Sequence, residues 1–487
     1  MSKPTRRARP RMPATAHAWL AAALVTAFAL STAAQSAAAQ TPAAPAAPAA
    51  PAAPSAQSAA APAARAAPAA AAVTALQCGH LFDPLAGKMQ GATTVVIEGT
   101  RVRELAAGVS SPSGAKVIDL SGETCLPGLI DAHTHLSGET SPTQYVDQFH
   151  WNLADYVVRS TVYARRTLLA GFTTVRNVGD NEYETVALRN AINAGIVPGP
   201  RIFTAGVAMG STGGHADPTN GYRTDLAGDP GVTVGIFNGP EEAVKAVRLH
   251  YKQGVDLIKI MPSGGVLDES NSGDNAQLTL EEIRAVVSTA HDYGFTVAAH
   301  AHGAEAIRRA VIGGVDSIEH GTFMDEADMK LMVEHGTWYV PTISAGAFVA
   351  AKAKVPGYYP AQVAAKAAAI GPLIMGTAGR AYRAHVKIAF GTDAAVYPHG
   401  DNAHEFELMV QAGMPPLYAL EAGTINAAQL LKHDKDLGSV TVGKFADVVA
   451  VPGDPLADIG VMRHVSFVMK AGTVYKVNGH AVEESPQ

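Results

Sequence analysis

The chain has 487 residues, of which 47% are hydrophobic, 16% charged and 6% aromatic. At about 100–200 residues per domain that length predicts two to four domains, although one α/β barrel absorbs about 250 or more. The formal charge of −6 already includes the N-terminal cations Lys3, Arg6, Arg7, Arg9 and Arg11, so the rest is more acidic still; an acidic body without a basic stripe argues against nucleic acid as a partner.

The N-terminus reads as an address. Its basic start is followed by Ala18–Leu30 (AWLAAALVTAFAL) and then by small residues as far as Gln40. That apolar run is shorter than the roughly 20 residues of a bilayer span and matches a secretory signal over residues 1–40. Residues 41–72 are nearly all Ala and Pro, which cannot bury enough apolar surface to fold, so a semi-stiff linker is expected. Export to a periplasm or to the exterior follows, with no stable membrane span once the signal is cleaved. Two cysteines, Cys78 and Cys125, are too few for a disulfide scaffold or a thiolate metal cluster. In an oxidising compartment they could pair, or each could be a small buried hydrophobe.

From Val73 onward the texture is β-like. Val73–Gln77, Thr93–Glu98, Arg101–Leu105 and Lys116–Leu120 are short apolar runs broken by Gly-containing turns, and the pattern returns in Ala446–Val451, Ser466–Lys470 and Thr473–Val477. One small β-sandwich built from both ends, residues 73–126 and 438–487, is therefore expected. Between them, residues 127–437 alternate strand-like and helical stretches. The strands are Leu129–His135, Thr173–Asn177, Arg201–Gly206, Leu257–Met261, Thr296–His300, Ser317–His320, Tyr339–Ser344 and Ile388–Thr392. Helices such as Glu241–Gln253 and Thr279–Tyr293 lie between, the latter opening on a Thr279/Glu282 capping box. Eight such units predict an α/β fold, a (β/α)8 TIM-type barrel. No dinucleotide fingerprint, P-loop or Gly-x-Ser-x-Gly elbow is present; Gly210–His215 (GSTGGH) has the wrong spacing for a phosphate cradle.

The chemistry gathers at strand ends. Leu126–Leu136 (LPGLIDAHTHL) carries His133 and His135, two apart on a strand and hence on one face. Lys259, in VDLIKIM, shares a face with Leu257 and Met261, so it points into the barrel or into the helix layer. It is either a lysine snorkelling from a strand end or an amine that has added carbon dioxide to bridge two metal ions. His300 ends FTVAAH, His320 ends DSIEH, and Asp393 follows KIAFGT. Imidazole and carboxylate without thiolate suit zinc or another divalent first-row ion. Arg223 (GYRTD) is a candidate partner for a substrate carboxylate, because a guanidinium fork fits that geometry.

Taken in order, His133-Thr134-His135, Lys259, His300, His320 and Asp393 resemble the amidohydrolase superfamily, with Val442–Val448 (VGKFADV) and Gly453-Asp454-Pro455 similar to its return into the β domain. The resemblance implies a metal-dependent hydrolase with a binuclear site and two divalent ions, zinc foremost. His133, His135 and Asp393 would hold one ion, His300 and His320 the other, and carboxylated Lys259 would bridge them. The mononuclear deaminase branch carries His-x-x-Glu on the fifth strand, whereas here His300 is followed by Ala301-His302-Gly303. The pattern is instead similar to the peptidase-like branch, whose members hydrolyse Xaa-Pro and other dipeptides or N-acyl amino acids, some of them ochratoxin A. Ser263 and Gly264 after the lysine, His215 after Gly213-Gly214, and His302 resemble that branch's substrate-facing loops. The partner implied is a small molecule with an amide bond, and the assembly a homo-oligomer. Asp393 would be the general base that passes a proton from water to the leaving amine. A deaminase or cyclic-amide hydrolase on the same fold is the alternative.

Overall fold

The computed structural model describes residues 73–268 and 273–482. The expected signal and linker lie outside the described residues. Strands from the two ends meet in one nine-stranded sheet, where Lys116–Pro127 runs antiparallel to Val448–Pro452 with Leu126 opposite Val449. Its buried face is almost wholly apolar, with Leu76, Val95, Ile97, Val448 and Phe467 at the centre. Cys78 and Cys125 are bonded to each other there, their Cα atoms 5.8 Å apart, within the reach of a disulfide.

Lys116–Pro127 passes through Gly128 directly into the first barrel strand, Leu129–Thr134. Gly128 has to be glycine, because a Cβ would stand 2.1 Å from Thr173 Oγ1 and 2.9 Å from Asp447 Cβ. Leu129–Thr134, Phe172–Asn177 and Arg201–Thr204 form one parallel sheet; Ile258–Ile260, Val297–Ala301, Ser317–His320 and Trp338–Val340 form another. Helices follow the strands in the alternation of a TIM-barrel-type fold, among them Leu153–Leu169, Glu184–Asn193, Pro240–Gln253 and Leu280–Asp292. The capping box holds: Thr279 Oγ1 accepts from the Glu282 amide, and the Glu282 carboxylate accepts from the Thr279 amide at 2.8 Å. Among the described residues no helix is long and apolar enough to cross a membrane.

The expected bounds shift elsewhere too, with Lys116–Leu120 extended to Pro127 and Leu257–Met261 shortened to Ile258–Ile260, but two of the later expected strands differ most. Ile388–Thr392 is no regular strand but a segment held by single bridges, Ile388 to Tyr339 and Ala394 to Thr134, before left-handed turns at Asp393 and Ala395. The seventh strand stops at Val340, not Ser344, since Thr342 is left-handed (φ 51°). Beyond it, the Glu405 carboxylate accepts from the amides of Ile343 and Ser344, which starts the helix Ile343–Lys352 there.

Candidate active site

The strand ends converge on one cavity of about 240 Å³, lined by His133, His135, Lys259, His300, His320 and Asp393 together with His215 and His302. Lys259 therefore points inward, while Ile258 and Ile260 pack in the large apolar core. At 1% exposure its amine is pulled down to about 8 by burial, against the opposing pull of Glu319 and Asp393.

Each histidine has one nitrogen tied to the protein. His133 Nδ1 donates to Glu319 Oε2 at 2.7 Å, and His135 Nδ1 to the Gly179 carbonyl at 3.0 Å. His300 Nε2 donates to the Gly264 carbonyl at 3.1 Å. His320 Nδ1 meets Thr342 Oγ1 at 2.7 Å; that hydroxyl's own hydrogen goes to the Pro341 carbonyl, so it accepts from the ring. The nitrogens left over are Nε2 of His133, His135 and His320 and Nδ1 of His300. Burial keeps the rings of His133, His300 and His320 neutral, the form in which an imidazole offers a lone pair: His133 is pulled down to about 4, with Lys259 adding to the effect, and His300 and His320 well below their usual value.

Asp393 supplies the carboxylate. Burial would raise its pKa, but His133, His135 and Lys259 outweigh that and lower it. Its Oδ1 stands 3.3 Å from His135 Nε2 and 3.6 Å from His133 Nε2, and that His133 nitrogen is buried without a partner among the described residues. Lone pairs facing lone pairs repel unless a cation lies between them. Ligand atoms of His133, His320 and Asp393 all fall within 4.8 Å of one another, so this donor set fits a divalent ion. Both His320 (φ 69°) and Asp393 (φ 60°) are held in the left-handed region, a strain that clusters where side chains must be aimed.

Beneath the cavity lies a buried layer that sequence reasoning missed. Arg176 donates to Glu319 Oε1 at 2.8 Å and to Ser317 Oγ at 3.0 Å. Burial would push the Glu319 carboxyl up, yet Arg176, His133 and Lys259 hold it down at about 2. Asp131 accepts from the amides of His133 and Thr392, the Thr392 hydroxyl and the Asn402 amide, tying the first strand to the turn that carries Asp393. The available signal was a charge inside an apolar strand: Asp131 in LIDAH, Arg176 in TTVRN, Glu319 in SIEH.

The residues expected to face a substrate divide. Ser263 Oγ accepts from the His302 amide at 3.0 Å and donates to Gly264, so both residues brace the histidines from behind rather than line the cavity. His302 and His215 do line it. Arg223 does not: its side chain is 74% exposed and forked onto Asp225, two residues along, which leaves it no reach to the site. The remaining cavity wall is apolar, with Val266, Ala345, Val349, Ile374 and Val396.

Residues 124–478 match the model of the amidohydrolase family. The chain is 32% identical over 375 residues to an ochratoxinase of Aspergillus niger, covering 73% of this chain and 76% of that protein. Among solved structures, a Xaa-Pro dipeptidase with methionine bound in its active site is 47% identical, with a TM-score of 0.80 over 83% of this chain and all of the other. A prolidase in complex with N-methylphosphonate-L-proline is 33% identical, with a TM-score of 0.76 and the same coverage.

Proposed function

The chain belongs to the amidohydrolase family and is a hydrolase acting on C–N bonds, and from that premise we propose that it cleaves the amide bond to a C-terminal amino acid in dipeptides or N-acyl amino acids, ochratoxin A included. The observation that carries the reading is the convergence of His133, His135, His300 and His320 with Asp393 and Lys259 in a single cavity, where Nε2 of His133 is buried without a partner among the described residues. His133, His135 and Asp393 would hold one divalent ion, His300 and His320 a second, with Lys259 between them as a carbamate; zinc is the expected metal. Bound there, the ions would supply a water acidified towards neutrality and a Lewis acid for the scissile carbonyl.

Asp393 then has the proton work. Its carboxylate, whose pKa is lowered in this pocket, takes the proton of the attacking water and returns it to the leaving amine. The apolar wall receives an apolar side chain, a reading supported by the methionine held by the related dipeptidase. His302 and His215 stand beside the metal ligands as candidates for the substrate's α-carboxylate. The enzyme acts after export, as its N-terminal residues suggest.

Zinc-loaded protein given a panel of Xaa-Pro and Xaa-Met dipeptides, N-acyl amino acids and ochratoxin A is expected to release free amino acid. Ammonia release from heterocycles, with no amino acid from any member of the panel, overturns the proposal in favour of a deaminase. Within the panel, His302→Ala is expected to lower kcat/KM for free acids far more than for the matching amides. Equal losses on both would remove His302 from the carboxylate site.

A further inference from the structure

A chain of charges that the metal-site reading does not use reaches the cavity from the outer helix layer. Lys366 lies on the helix Ala361–Ile370 at 9% exposure. Its ammonium donates to Asp268 Oδ1 at 2.7 Å, to the Asp268 carbonyl at 2.8 Å and to the Gly265 carbonyl at 2.9 Å. An ammonium has three hydrogens, and these three acceptors meet it from the described residues. Asp268 Oδ2 in turn accepts from Nδ1 of His215 and, at 3.3 Å, from the Gly265 amide.

His215 is thereby clamped on several sides. Its backbone amide donates to Gln277 Oε1 at 2.8 Å. Gly265 lies flat against the ring, so closely that a Cβ there would stand 2.0 Å from Cε1. The ring centroid is 4.4 Å from that of His300, and His215 lines both the main cavity and the cleft beside it. A carboxylate only accepts, so Nδ1 carries the hydrogen and Nε2 is the nitrogen turned to the cavity. That assignment holds only while Asp268 keeps its own orientation, and Lys366 grips the carboxylate by its other oxygen and the loop by two carbonyls.

We propose that Lys366 is a positioning residue for amide hydrolysis: through Asp268 it fixes the ring of His215, so that Nε2 meets the substrate beside His300. The kinetic test rests on the hydrolase reading given above; the spectroscopic test does not. In the zinc-loaded full chain, Lys366→Met is expected to lower kcat/KM about 10- to 100-fold, with bound zinc unchanged. His215→Ala should lose a similar factor, and the double variant should be no worse than His215→Ala alone, because both changes break one device. Losses that multiply, a Lys366→Met variant with near-normal turnover, or loss of zinc from it would each overturn the proposal.

Proton NMR gives a readout free of activity. A downfield Nδ1–H resonance, assigned to His215 by its absence from His215→Ala, is expected in the parent chain and should move upfield or vanish in Lys366→Met. An unchanged resonance overturns the proposal. Asp268→Asn, which keeps the side chain's shape, is expected to shift the same resonance and serves if the methionine variant does not accumulate. If no amide is hydrolysed by any variant or by the parent, the functional reading fails while the resonance still decides the positioning claim.

Discussion

The terminal sheet and the barrel mouth are both buried, but with opposite materials. The sheet encloses Leu76, Val95, Ile97, Val448, Phe467 and Met469 and is crossed by a disulfide. The mouth encloses Asp131, His133, Arg176, Lys259, His300, Glu319, His320 and Asp393, most of them at 5% exposure or less. Apolar burial is favourable by itself, at about 25 cal/mol per Å². Buried charge is costly unless every group is paired. The two regions therefore do different work: the sheet contributes stability, and the mouth holds groups in place at some expense to it. Changes in the first should therefore alter stability and spare turnover, whereas changes in the second should alter turnover whatever they do to stability.

The sharpest break is at Asp393. Asp393→Asn should keep much of its metal yet lose turnover by a factor of about 10²–10⁴, the value of general base catalysis, since an amide ligates weakly and accepts no proton. Metal analysis alongside single-turnover rates checks this; a variant with full metal and ordinary rates would make Asp393 a ligand only. One layer down, Glu319→Gln removes the carboxylate shared by Arg176 and His133. Metal affinity should fall about 10- to 100-fold, and stability by about 3–5 kcal/mol, because Arg176 is left as a buried unpaired charge. Zinc titration and denaturant unfolding read the two effects separately.

On the other side of the comparison, replacing Cys78 and Cys125 together by alanine should lower stability by about 2–4 kcal/mol and leave kcat within experimental error. A large drop in kcat would mean that the sheet reaches into the chemistry. The smallest effect is expected at Lys470, whose amine is pulled down to about 8 by burial and by Arg201, against the pull of Asp447. A base whose folded pKa lies below its unfolded value binds fewer protons when folded, so its contribution makes stability rise with pH between about 8 and 10.5. Lys470→Met should flatten that rise; identical pH profiles of Tm for parent and variant would remove Lys470 from the account.

What the sequence could reveal of the site followed from local pattern. His133, His135, Lys259, His300, His320 and Asp393 were legible because each ends an apolar run, and strand ends of one barrel face one mouth. Pairings across sequence were not legible: Arg176 meets Glu319, and Lys366 reaches Asp268, only after folding brings distant segments together. Arg223 does not line the cavity, and its partner Asp225 is so close in sequence that no substrate is needed to explain it. The fold's alternation was plain, but the eighth segment and the end of the seventh strand were not. Both depend on left-handed residues, Asp393 and Thr342, that no hydrophobic period records. Composition left the cysteine pair open until the register of the sheet placed Cys125 beside Leu81.

The passage through Gly128 has a consequence for biogenesis. The strand Lys116–Pro127 that feeds the strand carrying His133 finds one of its two neighbours, Val448–Pro452, only about 320 residues later in the chain. Until that late segment arrives, the strand has an open edge, a row of unpaired amides and carbonyls ready to accept any passing chain. Contacts of such long range form slowly, because the loop must be closed before they repay it. A polypeptide cut short before Val448 would thus carry every candidate metal ligand and still display an adhesive rim, so aggregation rather than a miniature working enzyme is the expected fate of C-terminal truncations.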